Sequence, residues 1–340
     1  MDFSLGYRFF DDGSDTIYQI VKDFKGKISD VYFAFGSEAS GRHALCEASD
    51  TDSLHYQIEE LSEISKLNCS LTLLFNASCY GKDAMSAALE KRVTSCIETL
   101  SKSMKISKVT TTSVFVASVV KKYFPHIKTC ASVNMRIGSL KAFSQLEEYF
   151  DAFYMQREFN RDFNKIKELS SWCSAHGKQL DLLANSGCLH SCAYQSYHDN
   201  LVSHESEIDY SSLSKLAISA PCHKYLSKMD IYDAAAIFLS NTWILPSELY
   251  RYEKYFSSAK LATRLHTNPR AVANAYVNRE KYVDIFSLTE PNYNDIFGGY
   301  IFDSSKLCDN WFDFLLNCDK NCHKCGRCKE IAKKALVKLY

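Results

Sequence analysis

Leu180-Asp181-Leu182-Leu183-Ala184-Asn185 is a short apolar run that breaks into a polar segment, Ser186-Gly187-Cys188-Leu189-His190-Ser191-Cys192. A run of this length, ended by glycine and polar residues, reads as a buried strand feeding a loop. Eight other runs read the same way: Leu5–Phe10, Val31–Phe35, Leu71–Asn76, Val109–Thr112, Lys128–Val133, Ala152–Gln156, Ile237–Trp243 and Lys260–Thr263. Amphipathic stretches lie between them. In Ala84–Leu100 the residues Met85, Ala88, Leu89, Val93, Cys96 and Ile97 form one stripe, and in Asn160–His176 Phe163, Ile166, Leu169 and Trp172 recur at helical spacing. Strand-then-helix repetition implies parallel strands joined by helical crossovers. Eight or nine strands before residue 265 predict an α/β fold, a closed (β/α)8 TIM-like barrel, with one run spurious or one strand extra. A doubly wound open sheet is the alternative, but no Gly-x-Gly-x-x-Gly follows the first strand. The alternation stops near Lys281, so the expected division is a barrel over 1–283 and a cysteine-rich extension over 284–340 packed on it.

The chain has 340 residues, long for one domain but ordinary for an α/β barrel. It carries 40 basic and 40 acidic residues, so net charge gives no general pull toward nucleic acid or an anionic membrane. No apolar run approaches the roughly 20 residues that span a bilayer. Met1-Asp2-Phe3-Ser4-Leu5-Gly6 lacks a basic segment followed by an apolar one, so a cytoplasmic protein is expected. The 21 tyrosines and 21 phenylalanines are spread without basic clustering, which favours core packing over base stacking. The basic run Lys329–Lys338 reads as a solvated helix face.

Fourteen cysteines are many for such a protein, and in a reducing compartment disulfides are not expected. Spacing then decides their meaning. Cys188 and Cys192 follow the strand at 180–185, on the side of a barrel where active sites lie. If their segment is one helical turn, both sulfurs point the same way. Cys222 follows Ala220-Pro221 in another loop. Small buried thiols are the plain alternative, but Asn185, Ser186, His190, Ser191 and His198 make the surroundings polar. The pattern predicts a soft-metal or iron–sulfur site.

The tail carries Cys318, Cys322, Cys325 and Cys328, four thiols within eleven residues, preceded by Cys308. No other apolar residue lies from Asn317 to Lys329, so a packed helix stripe is a poor account. Structural zinc usually gathers two knuckles separated by a loop. The denser spacing is closer to that of ferredoxins, so a cluster is preferred, with zinc as the alternative. The pair, Cys222, Cys308 and the tail four suffice for two four-cysteine sites. Cys308 is equally suited to packing beside Trp311, and a tail cysteine, Cys46 or Cys79 are other candidates to complete the barrel site.

Arg157 and Glu158 follow the strand at 152–156, as a carboxylate clamp and a general base or as an ion pair at the rim. Arg264 ends the strand at 260–263, as an anion contact or a structural pair. His190, His198 and His323 read as hydrogen-bonding side chains rather than ligands. Gly36 and Gly41 have the spacing of a phosphate loop, but Arg42 and His43 replace the Lys and Ser/Thr that chemistry needs. That loop reads as a plain connection.

Asp151-Ala152-Phe153-Tyr154-Met155-Gln156-Arg157-Glu158-Phe159-Asn160 resembles the Arg-Glu strand of the peptidase U32 (collagenase-like) family. Leu180–Asn185 with Gly187–Cys192 is similar to the strand and cysteine loop that follow there. Trp243-Ile244-Leu245-Pro246-Ser247-Glu248-Leu249 is similar to the family's Pro-Glu-Asp-Leu segment, and Tyr252-Glu253 follows it here. Lys260-Leu261-Ala262-Thr263-Arg264 is similar to its Lys-x-x-Gly-Arg strand, with Thr263 in place of glycine. Ala275, Tyr276, Arg279 and Tyr282 match the next helix. The resemblance covers residues 5–330, is strongest over 151–283, and points to a short branch with an extra C-terminal cysteine cluster. It implies a barrel with a [4Fe-4S] cluster and oxygen-independent hydroxylation, or a related modification, of RNA, a quinone precursor or a peptide, some relatives drawing the hydroxyl from prephenate. The Cys188–Cys192 spacing is shorter than the family's, which leaves the substrate open. Two other readings stand beside this enzyme: a metal-stabilised partner or scaffold without catalysis, and a peptidase.

Overall fold

The computed structural model describes residues 1–9, 15–36, 38, 40–41, 51–281 and 283–339. Its centre is a closed, all-parallel barrel of eight strands. These are β1 (Asp2–Gly6), β2 (Ile28–Phe33), β3 (Ser70–Phe75), β4 (Ile106–Thr111), β5 (Lys128–Ala131), β6 (Ala152–Tyr154), β7 (Gln179–Leu183) and β8 (Ser258–Leu261). The strands neighbour one another in chain order, and β1 pairs with β8 to close the ring. A helix or helices follow each strand, so the fold is a (β/α)8 barrel.

Side chains alternate along the strands and separate two environments. Leu5, Val31, Phe33, Leu71, Leu73, Val109, Phe153, Leu180 and Leu182 join the large apolar core shared with the helices. The intervening positions carry Asp30, Tyr32, Thr72, Thr110, Cys130, Tyr154, Asp181 and Lys260, all buried. Asp30 accepts from Ser4 Oγ and, at 2.6 Å, from Thr72 Oγ1. Lys108 lies 3.7 Å from Asp181, which also accepts from Ser258 N and Oγ at 3.0 Å. The barrel interior is therefore largely polar, with Asp30 and Asp181 paired inside it, while the large apolar core lies outside it.

Seven runs and the quoted one mark true strands, but Ile237–Trp243 does not. It falls mostly in the helix Ile231–Ser240, which starts where Asp230 caps Tyr232 N at 3.0 Å. A short apolar run cannot by itself distinguish a strand from a buried helix. The stretch read as Ala84–Leu100 becomes a helix over Ala87–Ser101, capped by Ser86. Met85 precedes the cap and is 82% exposed, so it is not part of the buried stripe.

Beyond residue 283 the chain packs against the helix Ile231–Ser240. Phe286 and Phe297 stack at 4.2 Å, and Phe238 meets Phe286 at 4.7 Å. β9 (Tyr300–Phe302) and β10 (Leu336–Lys338) form a small antiparallel pair. The helix Arg327–Ala335 buries Ala332 and Ala335, while Lys329 pairs with Asp233 at 2.6 Å. Among the described residues, no helix is long and apolar enough to cross a membrane.

Candidate functional site at the barrel mouth

The C-terminal ends of the strands surround a small cavity of about 60 Å³. Arg157, Lys260, Arg264 and Glu290 supply its charged lining, with Asn76 and Asn134 beside them. β6 leads directly into a short turn, Arg157–Phe159, that holds Arg157 and Glu158 just past the strand end. Arg157 donates to Gln195 Oε1, and Gln195 donates to Asp199 at 2.6 Å. Glu158 Oε1 lies 3.5 Å from Arg136 and 4.0 Å from Arg157 Nε. Arg157 Nε and Glu158 Oε2 are buried without a hydrogen-bond partner among the described residues. Buried polar atoms of this kind ordinarily find partners, which sets this pair apart.

β8 delivers Lys260 and Arg264. Arg264 NH1 and NH2 both donate to Ser40 Oγ at 3.2 Å, so the loop after β2 reaches the mouth. Gly41 N of the same loop donates to Asn76 Oδ1 at 3.0 Å. Arg42 and His43 lie outside the described residues. Lys260 Nζ sits over the Tyr32 ring, whose hydroxyl donates to Leu261 O at 2.8 Å. Burial, reinforced by the Arg264 charge, pulls the Lys260 ammonium down to about 7. Glu290 Oε2 accepts from Leu265 N at 3.1 Å. Arg157, Glu158 and Arg264 stand out in the sequence by their place after strands; Lys260, Tyr32, Ser40 and Glu290 do not. The one available signal for Lys260 was a lysine inside an otherwise apolar strand.

The loop after β7 carries the first thiols. Asn185 anchors it, donating to Ala262 O at 2.9 Å and Leu288 O at 2.8 Å, and accepting from Ala262 N at 2.6 Å. Residues 188–192 do not form a helical turn; Ser191 takes a left-handed φ of 53°. Cys222 lies in the helix Pro221–Leu226, near enough to Cys188 and Cys192 for their charges to act on it. Burial pushes the Cys222 thiol up to about 11, with Cys188 and Cys192 adding to it. The Cys192 thiol is raised by burial and by Cys188, and Arg157 acts against the rise. His190 N donates to Asn241 Oδ1 at 3.1 Å, and His198 lies on the helix Gln195–Ser203.

The tail thiols form a separate group. Cys318, Cys322, Cys325 and Cys328 line one cavity of about 420 Å³, together with His323. Cys308 is exposed and lies off that lining. Cys79 sits instead beside His204, and Cys46 lies outside the described residues. Among the described residues, no three Cys, His, Asp or Glu side chains converge as metal ligands. The donor chemistry fits a thiophilic metal in both places, three thiols at the mouth and four in the tail.

No protein-family model matches the chain. Over 331 residues it is 23% identical to a protein of Methanocaldococcus jannaschii described as an uncharacterized protease, covering 96% of this chain and 94% of that one. A solved structure of the U32 peptidase Mk0906 superposes with a TM-score of 0.52 at 12% identity, over 76% of this chain and 92% of that one. In fold the chain resembles this peptidase. Its barrel carries the cation-lined cavity, with Arg157 in the lining, at the end where the loop after β7 bears Cys188 and Cys192.

Proposed function

We propose that this U32-like protein is an iron–sulfur-dependent enzyme that modifies a substrate at the barrel mouth without oxygen, by hydroxylation or a related reaction. Arg157 is the observation that carries this reading. It lines the cavity, and its charge acts on Cys192 and on Tyr293, the ring that also feels Cys188 and Cys222. Substrate pocket and thiol group thus share one residue.

The cavity's charged lining is three cations and one carboxylate among the described residues. Such a lining suits a small anion, and guanidinium groups hold carboxylates by paired hydrogen bonds. Arg264 is pre-positioned by Ser40, and Arg157 by Gln195. Lys260 changes protonation near neutrality, so it can hold a proton on the bound anion or release it. Glu290 is the carboxylate of the lining, and Glu158 stands beside Arg157 outside it. A cluster bound at Cys188, Cys192 and Cys222 would supply one-electron or Lewis-acid chemistry beside this pocket. The polymer or ring being modified, whether RNA, a quinone precursor or a peptide, would approach from the open end.

The Methanocaldococcus relative is described as an uncharacterized protease, which favours a second reading, a peptidase. Ser186 is the serine that lines the cavity, and its Oγ has no hydrogen-bond partner among the described residues. A serine nucleophile needs a base bonded to it, and Lys260 in the same lining makes no such bond, so the mouth supports the peptidase reading less well.

The test is iron and acid-labile sulfide content after oxygen-free purification, with Cys188→Ser/Cys192→Ser as comparison. Both should fall in the variant, and Arg264→Gln should weaken binding of small dicarboxylates about tenfold or more while leaving the metal in place. Unchanged iron in the cysteine variant, or peptide hydrolysis that survives it, would sink the proposal.

A further inference from the structure

The helix Ile231–Ser240 and the tail enclose a cavity whose wall holds four cysteines together with Met229, Ile237 and Phe314. Nothing in the mouth chemistry uses this space. Behind it lies Arg161, only 6% exposed. Its NH1 donates to Leu239 O at 2.8 Å and its NH2 to Trp243 O at 2.9 Å. The guanidinium stacks 4.8 Å from the Trp243 ring. Its Nε has no hydrogen-bond partner, and it forms no ion pair with a carboxylate among the described residues.

A buried cation without a counter-charge is costly. Cys318 and Cys328 lie near enough to act on Arg161. A thiol that ligates a metal is deprotonated outright and would supply the missing negative charge. Arg161 and the tail cysteines therefore solve each other's problem.

We propose that Cys318, Cys322, Cys325 and Cys328 bind a [4Fe-4S] cluster in the cavity they line, with Arg161 as its buried counter-charge. The four thiols border one cavity of about 420 Å³, and their spacing within eleven residues is closer to that of ferredoxins than to zinc knuckles separated by a loop. Lys320, in a left-handed conformation with φ 58°, donates its N–H to Cys318 Sγ at 3.4 Å. Amide hydrogen bonds to sulfur are among the features that tune cluster potentials. The apolar wall of Met229, Ile237 and Phe314 shields one side from water. This site is independent of the mouth thiols, and its existence does not depend on the enzymatic reading.

The experiment measures iron, sulfide and zinc in the full chain purified without oxygen, in wild type, Cys322→Ser/Cys325→Ser and Cys188→Ser/Cys192→Ser. The tail variant should lose about half of the iron and sulfide when both sites are filled, and all of it if the mouth holds none. The mouth variant should keep the tail's share. Zinc in place of iron at the tail, or metal content unchanged by the tail substitutions, overturns the proposal. Arg161→Gln provides the second variant, for the event that the cysteine changes impair folding. Removing the cation should lower the tail cluster's midpoint potential, and an unchanged potential would refute the counter-charge.

Discussion

Lys260 Nζ lies 3.7 Å from the centre of the Tyr32 ring, inside the barrel and at the floor of the cation-lined cavity. The ring face stabilises an ammonium there, while burial and Arg264 oppose it. The balance puts the ammonium near 7. Below that pH the pocket gains a positive charge; above it the amine is neutral. Binding of a small dicarboxylate should therefore weaken as pH rises through about 7, measured by calorimetry across the range. Lys260→Met should remove that pH dependence. The stability consequence runs the other way. The unfolded lysine holds its proton to a higher pH than the folded one, so the contribution of Lys260 to stability rises from about pH 7 upward.

The interior ion pair makes a second test. Lys108 and Asp181 stand 3.7 Å apart, with side chains 15% and 2% exposed. Removing one partner leaves the other charge buried. Asp181→Leu should cost about 3–5 kcal/mol in urea unfolding, and Lys108→Met/Asp181→Leu should recover most of it. A double variant no better than the single one would mean that Asp181 acts mainly through Ser258.

The barrel was legible because eight strands announced themselves by apolar length and by the polar breaks after them. Ile237–Trp243 misled because Ala234, Ala235, Phe238 and Leu239 are buried, so the exposed face that marks an amphipathic helix is narrow. Arg157, Glu158 and Arg264 could be singled out because each follows a strand end. Ser40 and Glu290 could not, because their approach to the mouth depends on how distant loops fold back. Glu290 reaches it through the bridge between its own backbone and Ser186. Lys260 and Tyr32 belong to strands whose inward face is polar, and alternation of that kind is hidden when the outward face is already strongly apolar.

Among the described residues, Cys79 is the thiol whose ionisation a histidine favours. His204 hydrogen-bonds to it and favours its thiolate form, helped by the Gly81 amide at 3.4 Å, while Glu207 Oε1 holds His204 Nδ1 at 3.2 Å. Burial instead pushes Cys69, Cys130 and Cys173 up to about 12. The thiolate is the reactive form. Cys79 should be alkylated ahead of those three by iodoacetamide at neutral pH, read by peptide mass mapping. His204→Ala should slow its labelling several-fold without changing theirs.

Gly187 fixes the position of the mouth thiols. Its N–H donates to Glu290 O at 3.0 Å, and its carbonyl accepts from Asn241 Nδ2 at 2.9 Å and Tyr293 Oη at 3.0 Å. A methyl group at this position would stand 2.0 Å from Pro291 O, a backbone atom that cannot swing aside. The chain must shift, either in the loop bearing Cys188 or in the segment bearing Glu290. Overpacking of this kind typically costs about 1–3 kcal/mol. Gly187→Ala should therefore lower stability by about that amount and weaken dicarboxylate binding, because Glu290 moves with the segment. Gly177→Ala is the control: its added methyl meets nothing, but its φ of 64° carries the ordinary strain of a left-handed residue. That variant should lose stability and keep binding. Equal binding losses in the two variants would show that the effect is global, and that Gly187 does not locate the site.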